Sequence, residues 1–256
     1  KRVAHCFSVV YFVATIVSRA VRAIPGDPVR LRLGGEASPE ARQALRQELG
    51  LNQPVYVQYV RWLAQIFQGD FGDSILSGEP VFSLIVGVAE PTVSIAAVGM
   101  LLAFGIALPT GIVSAVRRYT VEDYASTVIA FFGISMPGFW IGIILILLVG
   151  VRFEAIPTFG YTSLSQGVGP WLASVILPSL AVALPNGGLL MRMVRSSMLE
   201  VLSEDYMTTA RAKGLDERLV LFKHGVQNAM IPVVTYPGIL FAVALVGGVV
   251  GGFRFG

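Results

Sequence analysis

Residues 92–116 read TVSIAAVGMLLAFGIALPTGIVSAV, and Arg117 and Arg118 follow at once. No charged side chain interrupts this run. It exceeds the ~20 apolar residues an α-helix needs to cross a bilayer, whereas a buried helix of a soluble core stays uncharged for only about 10–14. The composition extends the reading to the whole chain. Hydrophobic residues make up 54% and charged residues 14%, against roughly 25% charged in a soluble domain. The mean hydropathy is +0.71. Most of this surface therefore meets lipid. The net charge of +3 fits basic cytoplasmic loops rather than a nucleic-acid surface. Cys6 is the single cysteine, which rules out an internal disulfide.

Further spans lie to either side. Residues 3–18 are uncharged and are followed by Arg19 and Arg22, whose stems can snorkel to the interface. A cleaved signal peptide is the rival reading of this stretch; no A-x-A site precedes Pro25, which favours a retained helix. Residues 124–151 form the third span. Residues 155–191 are uncharged but broken by Gly and Pro, so the fourth span starts near Trp171. The fifth lies within 225–253, from about Pro232. These spans predict an all-α membrane protein, a polytopic helix bundle. Gly138-x-x-x-Gly142 and the glycines at 247, 248, 251 and 252 are small-residue patterns that let helices approach closely in lipid.

Short-loop Lys and Arg set the orientation. Arg117 and Arg118 follow the second span. Arg192, Arg195, Arg211, Lys213, Arg218 and Lys223 follow the fourth, and the loop after the third offers only Arg152. The N-terminus is therefore expected in the cytoplasm. Residues 1–24 make the first transmembrane helix, 25–90 an outer helical segment, and 91–256 the main membrane domain with a cytoplasmic loop at 195–229. In the outer segment, Ser38 and Pro39 read as N-cap and first helical residue, and Gly50 as the stop. A second amphipathic helix runs from Val55, with Tyr59, Trp62, Leu63 and Ile66 on one face, and ends in the turn Gly69-Asp70-Phe71-Gly72. The two helices form a small outer cap, read as a packed cover and as a docking surface for a solute-binding protein, two roles that are compatible.

The most informative stretch is 200–215. Ser203 can cap a helix with Glu204 and Asp205 in its first turn and Arg211 and Lys213 in its last, an order that matches the helix dipole. Gly214 can take the left-handed stop. Asp216 can cap a second helix through Leu219, Phe222 and Val226. Helix, glycine and helix make a hinge through which a moving cytoplasmic partner can push on the spans.

The segment Asp205-Tyr206-x-x-Thr209-Ala210-Arg211-Ala212-Lys213-Gly214-Leu215, followed by Lys223-His224-Gly225-Val226-x-Asn228-Ala229-Met230-Ile231-Pro232-Val233-Val234-Thr235, resembles the signature loop of the dipeptide/oligopeptide permeases of ABC importers. Thr208, Thr209 and Ala210 stand where the wider group has an acidic-Ala-Ala triplet. Arg22-x-x-Pro25-Gly26-Asp27-Pro28, Leu49-Gly-Leu-Asn-Gln-Pro54, Gly69-Asp-Phe-Gly72 and Gly133-Ile-Ser-Met-Pro137 are similar to other landmarks of that family, so the resemblance covers nearly the whole chain. It implies a type I importer permease in the bacterial inner membrane. The expected partners are a paralogous second permease, two ATP-binding subunits that carry ATP and Mg, an extracytoplasmic solute-binding protein and membrane lipid. No nucleic acid and no cofactor of its own are expected. It further implies that 205–215 dock on an ATP-binding subunit, with Ala210 on the docking face. The family continues with an outer segment and a sixth helix, both expected to be missing here, and residues 252–256 depart from its pattern.

Other chemistries lack their residues. No G-x-x-x-x-G-K-[ST] occurs, so the chain carries no P-loop, and no H-E-x-x-H occurs. No metal site is expected. An intramembrane protease would need a base beside an embedded serine, and His224 lies in the loop. A proton-coupled transporter would carry ionisable groups inside its spans, and the centres of spans two to five have none. Glu90, before Pro91, reads as a cap on the second span. Thr92, Ser94, Ser135, Met136 and Asn186 are the residues expected to line a path, helix packing being the alternative role for each.

Overall fold

The computed structural model describes residues 2–23, 27–34, 37–74, 77–150, 152, 156–236 and 238. Helices dominate, and the β-pairing among the described residues is a single bridge between Asp73 and Pro80. Two compact units divide the chain, Lys1–Gly87 and Val88–Gly256.

The first unit opens with α1 (Arg2–Ala23), on which Val9, Val10, Phe12 and Ile16 are exposed. Uncharged side chains displayed outward suit lipid, not water. Helix α2 (Pro28–Leu33) is capped by Asp27, whose carboxylate accepts from the Val29 amide and pairs with Arg46 at 2.6 Å. Arg46 belongs to α3 (Pro39–Glu48), capped by Ser38 with Pro39 at its first position, as the sequence predicts. Gly50 adopts φ +64 just beyond it. Helix α4 (Val55–Phe67) keeps Tyr59, Leu63 and Ile66 half-buried and leaves Trp62 more open. The hydroxyls of Tyr59 and Thr15 in α1 are 2.6 Å apart. Gly69 and Gly72 both take positive φ in the predicted turn. The segment 25–90 thus holds, among its described residues, α2 as well as the two helices expected.

Helix α5 (Val81–Val116) begins in the first unit and continues through the second. The sequence reading starts the span at Thr92, but the helix begins eleven positions earlier and runs through both Pro91 and Pro109. Thr92 and Thr110, each next to a proline, donate their hydroxyls to Val88 O and Ile106 O. Apolar helices tolerate internal proline when hydroxyls and neighbouring elements satisfy the polar backbone around it.

The third span is not one rod. Helices α6 (Val121–Ser135) and α7 (Gly138–Leu145), the latter continued by a π-helical turn at Ile146–Gly150, meet at 100°. Pro137 accounts for the break, because the residue before a proline is driven out of the α region. Met136 accordingly sits at φ −95, ψ 130. Helix α8 (Val168–Leu202) also outruns its expected span, continuing past Arg192 and Arg195 to Leu202. Arg195, expected in a loop, is therefore helical. Among the described residues, α5 and α8 are each long and apolar enough to cross a membrane, and the bent pair can supply a third crossing. The fifth span lies largely outside the described residues, as do the glycines at 247–252.

Helices α5, α6, α8 and the helical stretch 227–236 meet around Ala107, Ala115, Ala130, Leu190, Met191, Val194, Met198, Ala229 and Val233. Small residues set the spacing. A Cβ on Gly188 would stand 2.5 Å from the Ala130 carbonyl oxygen, and one on Gly111 would stand 2.8 Å from Val194 Cβ. Gly138 and Gly142 pack toward Ala181 of α8 in the same manner, at 3.4 and 3.7 Å. In lipid, where apolar surface gains nothing by leaving solvent, such close approach supplies much of the packing energy.

Candidate functional site

The signature loop folds into a compact hairpin of helices. Helix α9 (Asp205–Ala212) follows α8 after Ser203 and Glu204. The N-cap is Glu204, without a side-chain bond, and Ser203 instead closes α8 by donating its hydroxyl to Glu200 O. The reading of Ser203 as the cap of α9 is thus corrected: α8 runs on far enough to claim it. Gly214 takes φ +76 with open space around it, as a left-handed stop requires. Asp216 caps α10 (Glu217–Leu219) by accepting from the Arg218 amide, and a π-helical turn follows at Val220–Val226.

Met207, Ala210 and Val220 form the small core of the hairpin, covered by Val201 and Leu202. Ala210 is 7% exposed. It faces the hairpin's own interior and not the outer face on which a docking residue must stand, so that expectation is corrected. Asp205, Tyr206, Thr209, Arg211, Ala212, Lys213, Gly214 and Leu215 are all exposed. Tyr206 accepts from the Asn228 amide at 3.3 Å, which ties α9 to the helical stretch 227–236. Across Gly214, Arg211 binds both oxygens of Glu217. That contact holds the Glu217 carboxyl below, and the Arg211 guanidinium above, their ordinary values. An open groove lined by Asp216, Arg218, Leu219, Phe222, Lys223 and Gln227 lies along the second limb.

A second polar cluster sits seven residues before the end of α8. Asp123 is 3% exposed and Ser114 fully buried. One Asp123 oxygen accepts from the Ser114 hydroxyl and from Arg195 Nε at 2.8 Å. The other accepts from Arg195 Nη2 at 2.9 Å and from the Tyr119 amide at 3.0 Å. Sequence reasoning missed this group. Asp123 drew no reading of its own and Arg195 read as a loop cation, and nothing local joins two residues 72 positions apart.

The path candidates are not gathered into one site. Thr92 is buried and bonded within its own helix, and Ser135 donates to Phe131 O. Asn186 donates to Val182 O and lies 3.5 Å from the Tyr236 hydroxyl. Met136 occupies the elbow between α6 and α7. Ser94 belongs to a network, with Trp171 Nε1 donating to it at 3.1 Å and the Tyr161 hydroxyl 3.0 Å away. Glu90 does not cap the second span, since it lies inside α5. It accepts from the Ser163 hydroxyl and the Leu164 amide and so fixes the loop before α8.

Comparison with known proteins decides what this helical body is. The family described as "Binding-protein-dependent transport system inner membrane component" matches residues 107–256. The description "Binding-prot-dependent transport system membrane comp, N-term" matches residues 1–96. The chain belongs to this family. Among its relatives are the "Probable peptide ABC transporter permease protein y4tP" of Sinorhizobium fredii, 38% identical over 98% of this chain and 80% of that protein, and the "Oligopeptide transport system permease protein AppB" of Bacillus subtilis, 40% identical over 92% and 76%. The "Glutathione transport system permease protein GsiC" of Escherichia coli is 39% identical over 98% and 79%. The binding-protein-dependent permease is accordingly a multi-pass inner-membrane helix bundle that works with ATP-hydrolysing and solute-binding partners.

Proposed function

We propose that this permease conducts peptides or similar small solutes inward and that the exposed face of residues 205–215 is the contact through which an ATP-binding subunit drives it. The carrying observation is the hairpin of α9 and α10. It is a short amphipathic element, braced by its own core and by the Arg211–Glu217 fork, that presents Tyr206, Thr209, Lys213 and Leu215 outward. A rigid projection of this kind transmits a push, where a solvated linker would absorb it. The names of the relatives support peptide-like cargo.

ATP and Mg belong on the partner subunits in this reading. A paralogous permease completes the pathway, and its interface includes the glycine-rich residues 247–252. The N-terminus lies in the cytoplasm, residues 25–90 face the solute-binding protein, and 91–256 form the translocating domain. Thr92, Ser94, Ser135, Met136 and Asn186 are the path residues proposed, with Ser94 and Asn186 favoured by their side-chain contacts to other elements.

Gly214→Asp in the reconstituted complex tests the coupling role. The side chain meets an unfavourable φ, at a cost of order 1 kcal/mol, and adds a charge on the docking face without touching a span. Insertion is expected to survive. Co-purification of the ATP-binding subunit, or stimulation of ATP hydrolysis by loaded binding protein, is expected to fall at least tenfold. Wild-type values of both refute the docking role.

A further inference from the structure

We propose that Ser114, Asp123 and Arg195 form a mechanical clamp that makes the cytoplasmic ends of α5, α6 and α8 move as one body with α9. Ser114 lies on α5, Asp123 in the first turn of α6 and Arg195 on α8. The carboxylate receives four donors, two from Arg195, one from Ser114 and one from the Tyr119 amide. Tyr119 itself adopts φ +66, a conformation a residue with a Cβ keeps only where its surroundings impose it. The Asp123 carboxylate does so here, fixing the turn between α5 and α6 and fastening that turn to α8.

The apolar contacts between the same helices cannot do this work. Gly111 against Val194 and Gly188 against Ala130 are close but non-directional, so they resist separation better than sliding or rotation. A two-pronged Arg–carboxylate pair is directional. Buried ion pairs add little net stability over apolar residues of the same volume, and their best-attested use is to fix register. The path from the clamp to α9 has no slack. Val194 and Met198 are fully buried, Ser197 donates to Ala229 O at 2.8 Å, and only Ser203 and Glu204 separate α8 from α9. Met207 and Ala210 pack back on Val201 and Leu202 across that joint. Arg195 and Asp123 are thus positioning residues for transport.

The inference rests on the reading of α9 as the docking element, and the test separates the two. In the complete importer, Cys6→Ser is combined with spin labels at Val121→Cys and Thr208→Cys, both exposed, and the label-to-label distance is measured without nucleotide and after trapping with ATP and vanadate. With the clamp intact, the distance is expected to stay a single narrow distribution in both states. Arg195→Gln is expected to split or shift it on trapping by about a helical turn, ~5 Å, with Arg195→Lys intermediate. If Arg195→Gln does not assemble, Ser114→Ala and Arg195→Lys carry the same measurement. A distance that changes between states in the otherwise unaltered protein, or one that ignores all these variants, overturns the clamp. Gly214→Asp serves as the control: wild-type co-purification of the ATP-binding subunit together with wild-type stimulation of ATP hydrolysis there sinks the docking reading alone, since the clamp distance does not depend on it.

Discussion

Arg211 closes on Glu217 from the far side of Gly214, with Nη2 2.9 Å from one carboxylate oxygen and Nε 3.1 Å from the other. The fork spans Lys213, Gly214 and Leu215, the three residues of this hairpin that separate the end of α9 from the cap of α10. Its geometry therefore decides how freely the turn opens. Because the Arg211 contact depresses the Glu217 carboxyl below 4.5, the stabilisation is fully present above that value and is lost as pH falls through the lower folded-state value. At neutral pH Glu217→Gln reproduces the loss. Hydrogen exchange at Gly214 and its neighbours is expected to quicken in the variant, modestly and less so in high salt, since both partners are exposed. Unchanged exchange would show that the fork does not hold the turn.

Thr209 and Ala210 are neighbours in sequence and opposites in setting. Ala210→Glu buries a carboxylate against Met207 and Val220, costing about 2 kcal/mol or more, and is expected to expose the hairpin to proteolysis. Thr209→Glu adds the same side chain on the open face and should leave the hairpin protected while weakening attachment of the ATP-binding subunit. Equal protease sensitivity in the two variants would contradict the inward setting of Ala210.

The approach of α8 to α6 leaves no room at Gly188. Gly188→Ala forces its methyl to within 2.5 Å of a backbone oxygen, and such overpacking costs roughly 1–3 kcal/mol. The purified variant is expected to lose several degrees in thermal stability. Gly105→Ala, on α5 with open space around it, should match or exceed the parent.

Sidedness is checked by labelling in a Cys6→Ser background. A membrane-impermeant maleimide is expected to reach Ser77→Cys from outside in intact cells. Asp216→Cys should react only after the membrane is opened. Reaction of both from one side would overturn the proposed topology.

Local chemistry was legible in the sequence, and long-range pairing was not. Ser38 with Pro39, Asp216, and Gly214 each announce a cap or stop within a few residues, because capping is a contact between near neighbours. Membrane crossing was equally plain at α5, where one apolar run is enough. Helix ends were less so: α5 begins at Val81 and α8 persists to Leu202, since charge marks where lipid ends and not where the helix does. The expected third span is bent at Pro137, where the restriction on Met136 outweighs continuous hydropathy. Ala210 reads as exposed within the motif and is buried by Val220, ten residues on. Glu90 reads as a helix-start acid, and Asp123 carries no local signal at all. Their partners, Ser163 and Arg195, are brought near only by folding.

The elbow at Met136 and Pro137 also bears on what can surround this helix. Helix α6 has 15 residues and so reaches about 22 Å, short of the ~30 Å hydrocarbon thickness. Entering from the turn at Tyr119 and Thr120, it delivers the elbow to a depth where acyl chains offer no hydrogen-bond donors. Pro137 has no N–H, so the helix loses a bond where its last carbonyls most need one. Lipid is the one neighbour that cannot serve there: the elbow has to face water or another polypeptide.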